Sequence, residues 1–352
     1  MTWPFSFPGI PSRVLFGSGT IAQVAQEMRH LGAQRAFVIS TAGRVRQGAQ
    51  LAEHLNGMLA GCYQGAAMHT PSDVTARALS NLAEVRGDCL VAIGGGSAIG
   101  LSKALALRTD LPQLVLPTTY AGSEATSVLG ETTAGQKTIV RDARVLPETV
   151  IYDIDLTLDL PDRVTATSGF NAMAHAVEAL YAQDRNPLIS TLAVEAINLL
   201  VCGLPKLMRN PRDLQVRGEV LYAAWLCGMS LHAVGMSLHH KVCHVLGGAF
   251  RLPHAETHAV ILPYSVRYNE AAVPDLLAPI ADATRAKSAA LGLYSLGQTL
   301  DVAHGLKAIG MPYGNLDRAA ALVVEKPYWN PAFVSYQPIR AMLEQAWHGA
   351  AP

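Results

Sequence analysis

Two textures divide the chain. Up to about residue 160, short continuous apolar runs alternate with amphipathic stretches. Beyond it the short runs vanish and long amphipathic stretches take over. Short apolar runs bounded by glycine or proline are the pattern of strands buried on both faces. Arg13–Phe16, Ala36–Ile39, 89–93, 114–116, 137–141 and 149–153 read as strands, and 62–68 fits another. Between them the spacing predicts helices over 20–31, 45–59, 74–86 and 98–107, with Ser72 and Asp73 as the cap of the third. Strands alternating with helices predict a parallel, Rossmann-like sheet. In the second half the helical period covers roughly 162–182, 187–208, 213–248 and 275–310, and Gly247 and Gly248 are expected to end the third of these. The expected organisation is an α/β nucleotide-binding domain over 1–161 followed by an all-helical domain over 162–352.

Charge and composition narrow the field. Of 352 residues, 27 are Lys or Arg and 27 are Asp or Glu. That balance argues against a nucleic-acid partner or an anionic membrane surface, so any anionic partner is met by a few local charges. No apolar run approaches the roughly 20 residues of a membrane span. The five cysteines form no C-x-x-C pair, as expected of free thiols in a reducing compartment. The first residues, MTWPFSFP, lack the basic start and apolar core of a signal peptide. The expectation is a cytoplasmic protein.

Two stretches carry chemistry. Gly94, Gly95, Gly96 and Ser97 lead from an apolar strand straight into a helix. Such a loop lets backbone N–H groups approach a pyrophosphate, and the helix N-terminus adds favourable partial charge. Lys103, about two turns in, is placed to face that anion. Thr118, Thr119 and Ser123 follow the next strand and are candidate hydrogen-bonding groups for a nucleotide, or caps of the next turn. Gly17-x-Gly19 resembles the start of a dinucleotide fingerprint, but Ala22 stands where the third glycine belongs. An ordinary strand-to-helix turn explains it better. The second stretch, 237–258, holds five of the 12 histidines: His239, His240, His244, His254 and His258. His240 and His244 are four apart, as are Asn171 and His175, so each pair shares a helix face. Clustered imidazoles suit acid–base work, metal ligation or polarisation of an oxygen. Any one of them alone is better read as a satisfied core histidine; three converging beside a glycine break are better read as chemistry.

These blocks resemble the iron-containing alcohol dehydrogenase family from end to end. The likeness rests on GGGSAIGLSKALALRTDLPQ at 94–113, PTTYAGSEAT at 117–126, VLPETVIYDIDLTLDLP at 145–161 and TSGFNAMAHAVEALYA at 167–182. It rests also on the long block from AAWLCGMSLHAVGMSLHHKVCH to LPHAETHAVILP at 223–263, and on GMP at 310–312. The resemblance implies a nucleotide-binding domain, a helical domain and a cleft between them. It implies a nicotinamide cofactor with its pyrophosphate on Gly94–Ser97, and metal-ligand positions at Asn171, His175, His240 and His254. It implies a histidine near the nicotinamide at His244 and a homodimer sharing N-terminal strands. The branch it is most similar to implies reduction of a carbon–carbon double bond conjugated to a ketone in a small unsaturated dicarboxylate, a step in the breakdown of aromatic compounds. A metal-dependent alcohol or polyol dehydrogenase, a lyase using the cofactor transiently, and a non-catalytic nucleotide binder are the competing expectations.

Departures from the family pattern shape the rest. Asn171 stands where the family has Asp, and a neutral amide is a weaker ligand for a divalent cation. Catalysis without a tightly bound metal is therefore favoured, with His175, His240 and His254 polarising an oxygen or binding carboxylate, in a cluster that lacks a nearby acidic ligand. His244 is the candidate on the nicotinamide side or for proton delivery. Lys241 and Arg251 are candidate carboxylate partners, and His239 and His258 are extras. Gly100 replaces a family Asp. Ser40 and Thr41, with Arg44 nearby, stand where an acid would select the adenosine ribose, so NADH is expected to serve and NADPH to be tolerated.

Overall fold

The computed structural model describes residues 4–7, 9, 12–134 and 136–352. It divides into two compact units, residues 10–160 and residues 161–352, the latter including the described part of the first nine. The apolar pieces before Arg13 fall partly outside the described residues.

The α/β unit contains β1 (Arg13–Phe16), α1 (Val24–His30), β2 (Ala36–Ile39), α2 (Val45–His54), β3 (Leu59–Tyr63), α3 (Ser72–Val85), β4 (Cys89–Gly94) and α4 (Gly96–Thr109). It continues with β5 (Gln113–Pro117), β6 (Val128–Thr133), β7 (Gln136–Arg141) and β8 (Thr149–Tyr152). Six strands form one sheet in the order β1-β8-β5-β4-β2-β3, every neighbouring pair parallel. Strands β2, β4, β5 and β8 are buried along their whole length. That is why their sequences run apolar without alternation: crossover helices cover both faces. Val24 and Met28 of α1 and Leu51 of α2 pack with Val38, Val91, Leu114 and Ile151 of the sheet in one apolar cluster. β6 and β7 form a separate antiparallel pair.

Several boundaries differ from expectation. The segment after β1 opens as a tight turn of 3₁₀ helix, Thr20–Gln23, before α1. Gly17 and Gly19 have φ of 145° and 72°, and Asp153 accepts the N–H groups of Gly19 and Ile21. This is a strand-to-helix turn tied to β8. β3 lies upstream of the expected 62–68, because it pairs with β2 through Leu59 and Gly61 to Tyr63. A side chain at Gly61 would meet Val85 of α3 at 2.9 Å. Ser72 does not cap α3. The helix begins at Ser72 with Pro71 as its N-cap and no side-chain cap, and Asp73 pairs with Arg77 instead.

The second unit is helical: α5 (Asp162–Tyr181), α6 (Pro187–Arg209), α7 (Leu214–Ala233), α8 (Leu238–Phe250), α9 (His254–Glu270), α10 (Pro274–Thr284), α11 (Ala289–Thr299), α12 (Leu316–Val324) and α13 (Tyr336–His348). Every residue from Thr165 to Tyr181 of α5 is buried, and α6, α7 and α9 pack around it. A helix enclosed on all sides loses its polar stripe, so its polar residues stand out as chemistry. α6 is the one described helix that is by itself long and apolar enough to cross a membrane, with mean hydropathy 1.8 over its most apolar window. Its apolar face packs on α5 and α7 within this unit.

The stretch read as one helix over 213–248 is two, α7 and α8, meeting at 96°. Gly247 and Gly248 lie inside α8, which ends at Phe250 with Arg251 in the left-handed region at φ 57°. Two interior glycines cost a helix roughly 1 kcal/mol each. Burial of Leu246 and Gly247 in the core holds the turn together. The stretch 275–310 is likewise broken, into α10, α11 and a 3₁₀ turn at Leu306–Ile309. α9, α12 and α13 fall outside the expected helical stretches.

Candidate active site

In the α/β unit, the carboxyl ends of β4 and β5 meet at the glycine loop, where Thr118 N–H donates to Gly94 O. Gly94 has φ 148°, and a side chain at Gly95 would lie 2.8 Å from Thr119 Cγ2. The loop therefore packs closely against the end of β5, which no larger residue would permit. At Gly96, the first residue of α4, an added side chain would meet only open space. The first N–H groups of a helix have no partner within it. Ser97 lies in this first turn. Thr118 Oγ1 and Ser123 Oγ are buried without a hydrogen-bond partner. Free amides and orphaned hydroxyls together suit a phosphorylated ligand. Ser40, at the end of β2, is buried beneath Gly48 of α2.

Lys103 does not face the loop. Its Nζ is buried and donates to Ser123 O and Thr126 O, both at 2.6 Å, with Thr126 Oγ1 and Val128 O also in reach. Burial brings it down to about 7, against the pull of Glu124. Its role is to tie the segment after β5 to α4. Gly100 also has a local reason. A side chain there would lie 2.5 Å from Thr70 Oγ1, so the family's Asp has no room. A cavity of about 280 Å³ elsewhere in this unit is lined by Gly19, Gln47, His54 and Asp153, and none of the loop residues reaches it.

In the helical unit, α5, α8 and α9 bring six histidines together. Ring centroids are 5.2 Å apart for His175 and His240, 5.1 Å for His240 and His258, and 4.5 Å for His254 and His258. His239 lies 4.9 Å from His258, and His244 lies 6.1 Å from His240. His239 and His258, expected only as extras, sit at the centre and are wholly buried. Lys241 has its Nζ 5.9 Å from the Tyr328 ring. Arg251 is the exposed residue at the end of α8.

An acid that the sequence reading did not single out stands behind the cluster, outside the expected ligand positions. Glu178 of α5 is fully buried, and its Oε2 lies 2.7 Å from His240 Nδ1. It also accepts the N–H groups of Ser237 and His239 and the Ser237 hydroxyl. One carboxylate thus starts α8, favoured by the helix dipole, and fixes the His240 ring. Burial alone would raise its pKa. The hydrogen bond from His240, with the nearby imidazole charge, outweighs this and holds it at about 2. Asn171, His175 and Glu178 follow the spacing i, i+4, i+7, so all three share one face of α5. That spacing was the available signal.

Glu178 leaves His240 Nε2 as the working atom. It is buried and has no partner in the protein, as is His175 Nδ1. Burial, then the surrounding imidazoles, push His175 and His258 well below 6.5, and His239 falls to about 3. These three rest neutral. The family's ligand positions fit a divalent cation only in part. They offer imidazole lone pairs, but Asn171 brings no charge, and a weak site follows. A metal held by Asn171, His175, His240 and His254 would act as a Lewis acid on a substrate oxygen. Among the described residues, the group of His, Cys, Asp or Glu side chains with donor atoms all within 4.8 Å is a different one: His239, Cys243 and His258.

The fold and both sets of residues define an oxidoreductase. The chain belongs to the iron-containing alcohol dehydrogenase family: residues 11–154 match the iron-containing alcohol dehydrogenase model, and 165–347 match the C-terminal model of the family. Membership makes it an NAD(P)H-dependent enzyme. Within the family it is similar to a maleylacetate reductase of Rhizobium sp. (strain MTP-10005), 50% identical over 99% of each chain. It is also similar to maleylacetate reductase 1 of Rhodococcus opacus, at 45% identity over 99% of this chain and 98% of that one. The crystal structure of maleylacetate reductase from Agrobacterium tumefaciens matches over 100% of both chains with TM-score 0.96 and 48% identity.

Proposed function

We propose that the chain reduces 2-maleylacetate to 3-oxoadipate with a reduced nicotinamide cofactor, as a homodimer in the cytoplasm. The observation that carries the reading beyond family membership is the His240–Glu178 pair. When bound, the cofactor supplies a hydride to the alkene carbon conjugate to the ketone. Negative charge then gathers on the ketone oxygen, and a proton must be added at the carbon beside it. A protonated His240, its Nδ1–H held by ionised Glu178, donates from Nε2 to that oxygen. Carboxylate support is what allows a buried imidazole ring to carry positive charge as the reaction proceeds. His175 and His254 flank the same space and meet substrate oxygens, and His244 serves the nicotinamide side or delivers the proton to carbon. The buried hydroxyls of Thr118 and Ser123, with Thr119 and the amides of Gly94–Ser97, support cofactor binding. Lys241 and Arg251 remain proposed carboxylate partners.

The test is loss of reduced-nicotinamide absorbance on adding maleylacetate, before and after exhaustive chelation. Turnover is expected to survive chelation within about twofold, since the imidazolium replaces a Lewis acid. Loss of activity on chelation and its return with iron or zinc would instead establish the metal-dependent alternative. The lack of an acid beside Ser40 and Thr41 supports use of both cofactors. Assayed side by side, NADH is expected to exceed NADPH by less than about a thousandfold in kcat/KM, roughly 4 kcal/mol. A larger ratio overturns that part of the reading.

A further inference from the structure

Cys243 stands on α8 one turn beyond His239, and its Sγ lies 3.6 Å from His239 Nε2. The same Nε2 lies 2.9 Å from His258 Nδ1. All three residues are buried, and the donor atoms lie within 4.8 Å of one another. These separations are close to what tetrahedral zinc requires. With Zn–N near 2.05 Å and Zn–S near 2.3 Å, nitrogen and sulfur ligands stand about 3.6 Å apart and two nitrogens about 3.3 Å. The first separation is met as it stands, and the second needs the two rings to part by about 0.4 Å.

The surroundings prepare His239 as a ligand. Ser265 Oγ donates to Leu262 O at 2.9 Å and so accepts at 3.0 Å from His239 Nδ1–H. That leaves the lone pair on Nε2, turned toward Cys243 and His258. Fixing the tautomer from the far side of the ring is the usual support of a metal-ligating histidine. The trio also supplies what the Asn171 set lacks, an anionic ligand, in the form of a thiolate.

We propose that His239 Nε2, Cys243 Sγ and His258 Nδ1 bind zinc or a similarly soft divalent cation, with water in the fourth position, at a site distinct from the family's ligand positions. Sulfur and imidazole donors select such a cation over magnesium or calcium. On binding, the thiol proton leaves to solvent and His258 shifts its remaining proton from Nδ1 to Nε2. Occupancy therefore changes what His258 presents to the rings of His240 and His254. This inference does not depend on the identity of the substrate.

Cobalt(II) reports the site directly. The full-length protein carrying Cys62→Ser and Cys202→Ser, which removes the two exposed thiols, is titrated with cobalt(II) and followed by absorption. The expected result is one equivalent bound, with thiolate-to-cobalt charge transfer in the near ultraviolet. Adding Cys243→Ser is expected to abolish that band, and adding His258→Gln to weaken binding at least about tenfold. His175→Ala, at a family ligand position, is expected to leave the band intact. Should Cys243→Ser fail to fold, Cys243→Ala and His239→Gln give the same reading. Absence of a thiolate band in the starting protein, its survival without Cys243, or its loss in His175→Ala overturns the proposal.

Discussion

Replacing Glu178 by Gln is expected to cut turnover at least about a hundredfold, and His240→Ala to do the same. The two losses arise from one unit. Without the carboxylate, the imidazolium that faces the ketone oxygen has no counter-charge in a buried site. Without the ring, the carboxylate has nothing to support. The double variant is therefore expected to be no slower than the worse single one, because residues that act together lose their effect together. The two singles differ in stability. In His240→Ala, Glu178 still accepts from Ser237 and His239, so the start of α8 survives. In Glu178→Gln, a buried charge pair is broken, a change that costs about 3–5 kcal/mol in other proteins. Thermal melts alongside steady-state kinetics separate the effects. A folded His240→Ala enzyme with turnover within tenfold of the parent would remove His240 from the chemistry.

The second large effect is acid lability beginning at mild pH. His175, His239 and His258 are buried and held below the 6.5 of an unfolded histidine, chiefly by burial and then by one another. Below pH 6.5 the unfolded chain takes up protons that the folded chain refuses, so their stabilising contribution, full above 6.5, is lost as pH falls. A histidine that stays neutral in the folded chain lowers stability by about 1.4 kcal/mol for each pH unit below 6.5, and His239, held at about 3, does so over that whole range. Glu178 adds to the loss lower down, since its folded pKa of about 2 lies beneath the 4.5 of a free glutamate. Melting temperature measured from pH 8 to pH 4.5 is expected to decline steeply once below 6.5. A flat profile down to pH 5 would sink this account of the cluster.

The strands of the α/β unit were legible because burial on two faces leaves no choice of residue. Ala36–Ile39 begins and ends where its apolar run does. The helical unit was harder. Gly247 and Gly248 look like a terminus, yet packing around Leu246 overrides the local preference. The break before α8 carries no strong local signal, because its determinant is Glu178, 59 residues upstream of Ser237. The histidines were found by their density. The acid was overlooked because it sits in a helix whose sequence otherwise reads as core. A wholly buried carboxylate seven residues after Asn171 is informative only once α5 is known to be enclosed. Lys103 failed for a different reason. Spacing puts it on the face of α4 toward the loop, but four carbonyl and hydroxyl oxygens of the 123–128 segment capture the ammonium first.

The bend between α7 and α8 makes readiness for catalysis inseparable from local order. The same carboxylate that starts α8 also orients the His240 ring through Oε2, so a molecule in which that first turn has frayed has no oriented acid at all. No half-melted, half-active species should therefore exist. Amide exchange at Ser237 and His239 and the decay of activity on warming should follow a single curve.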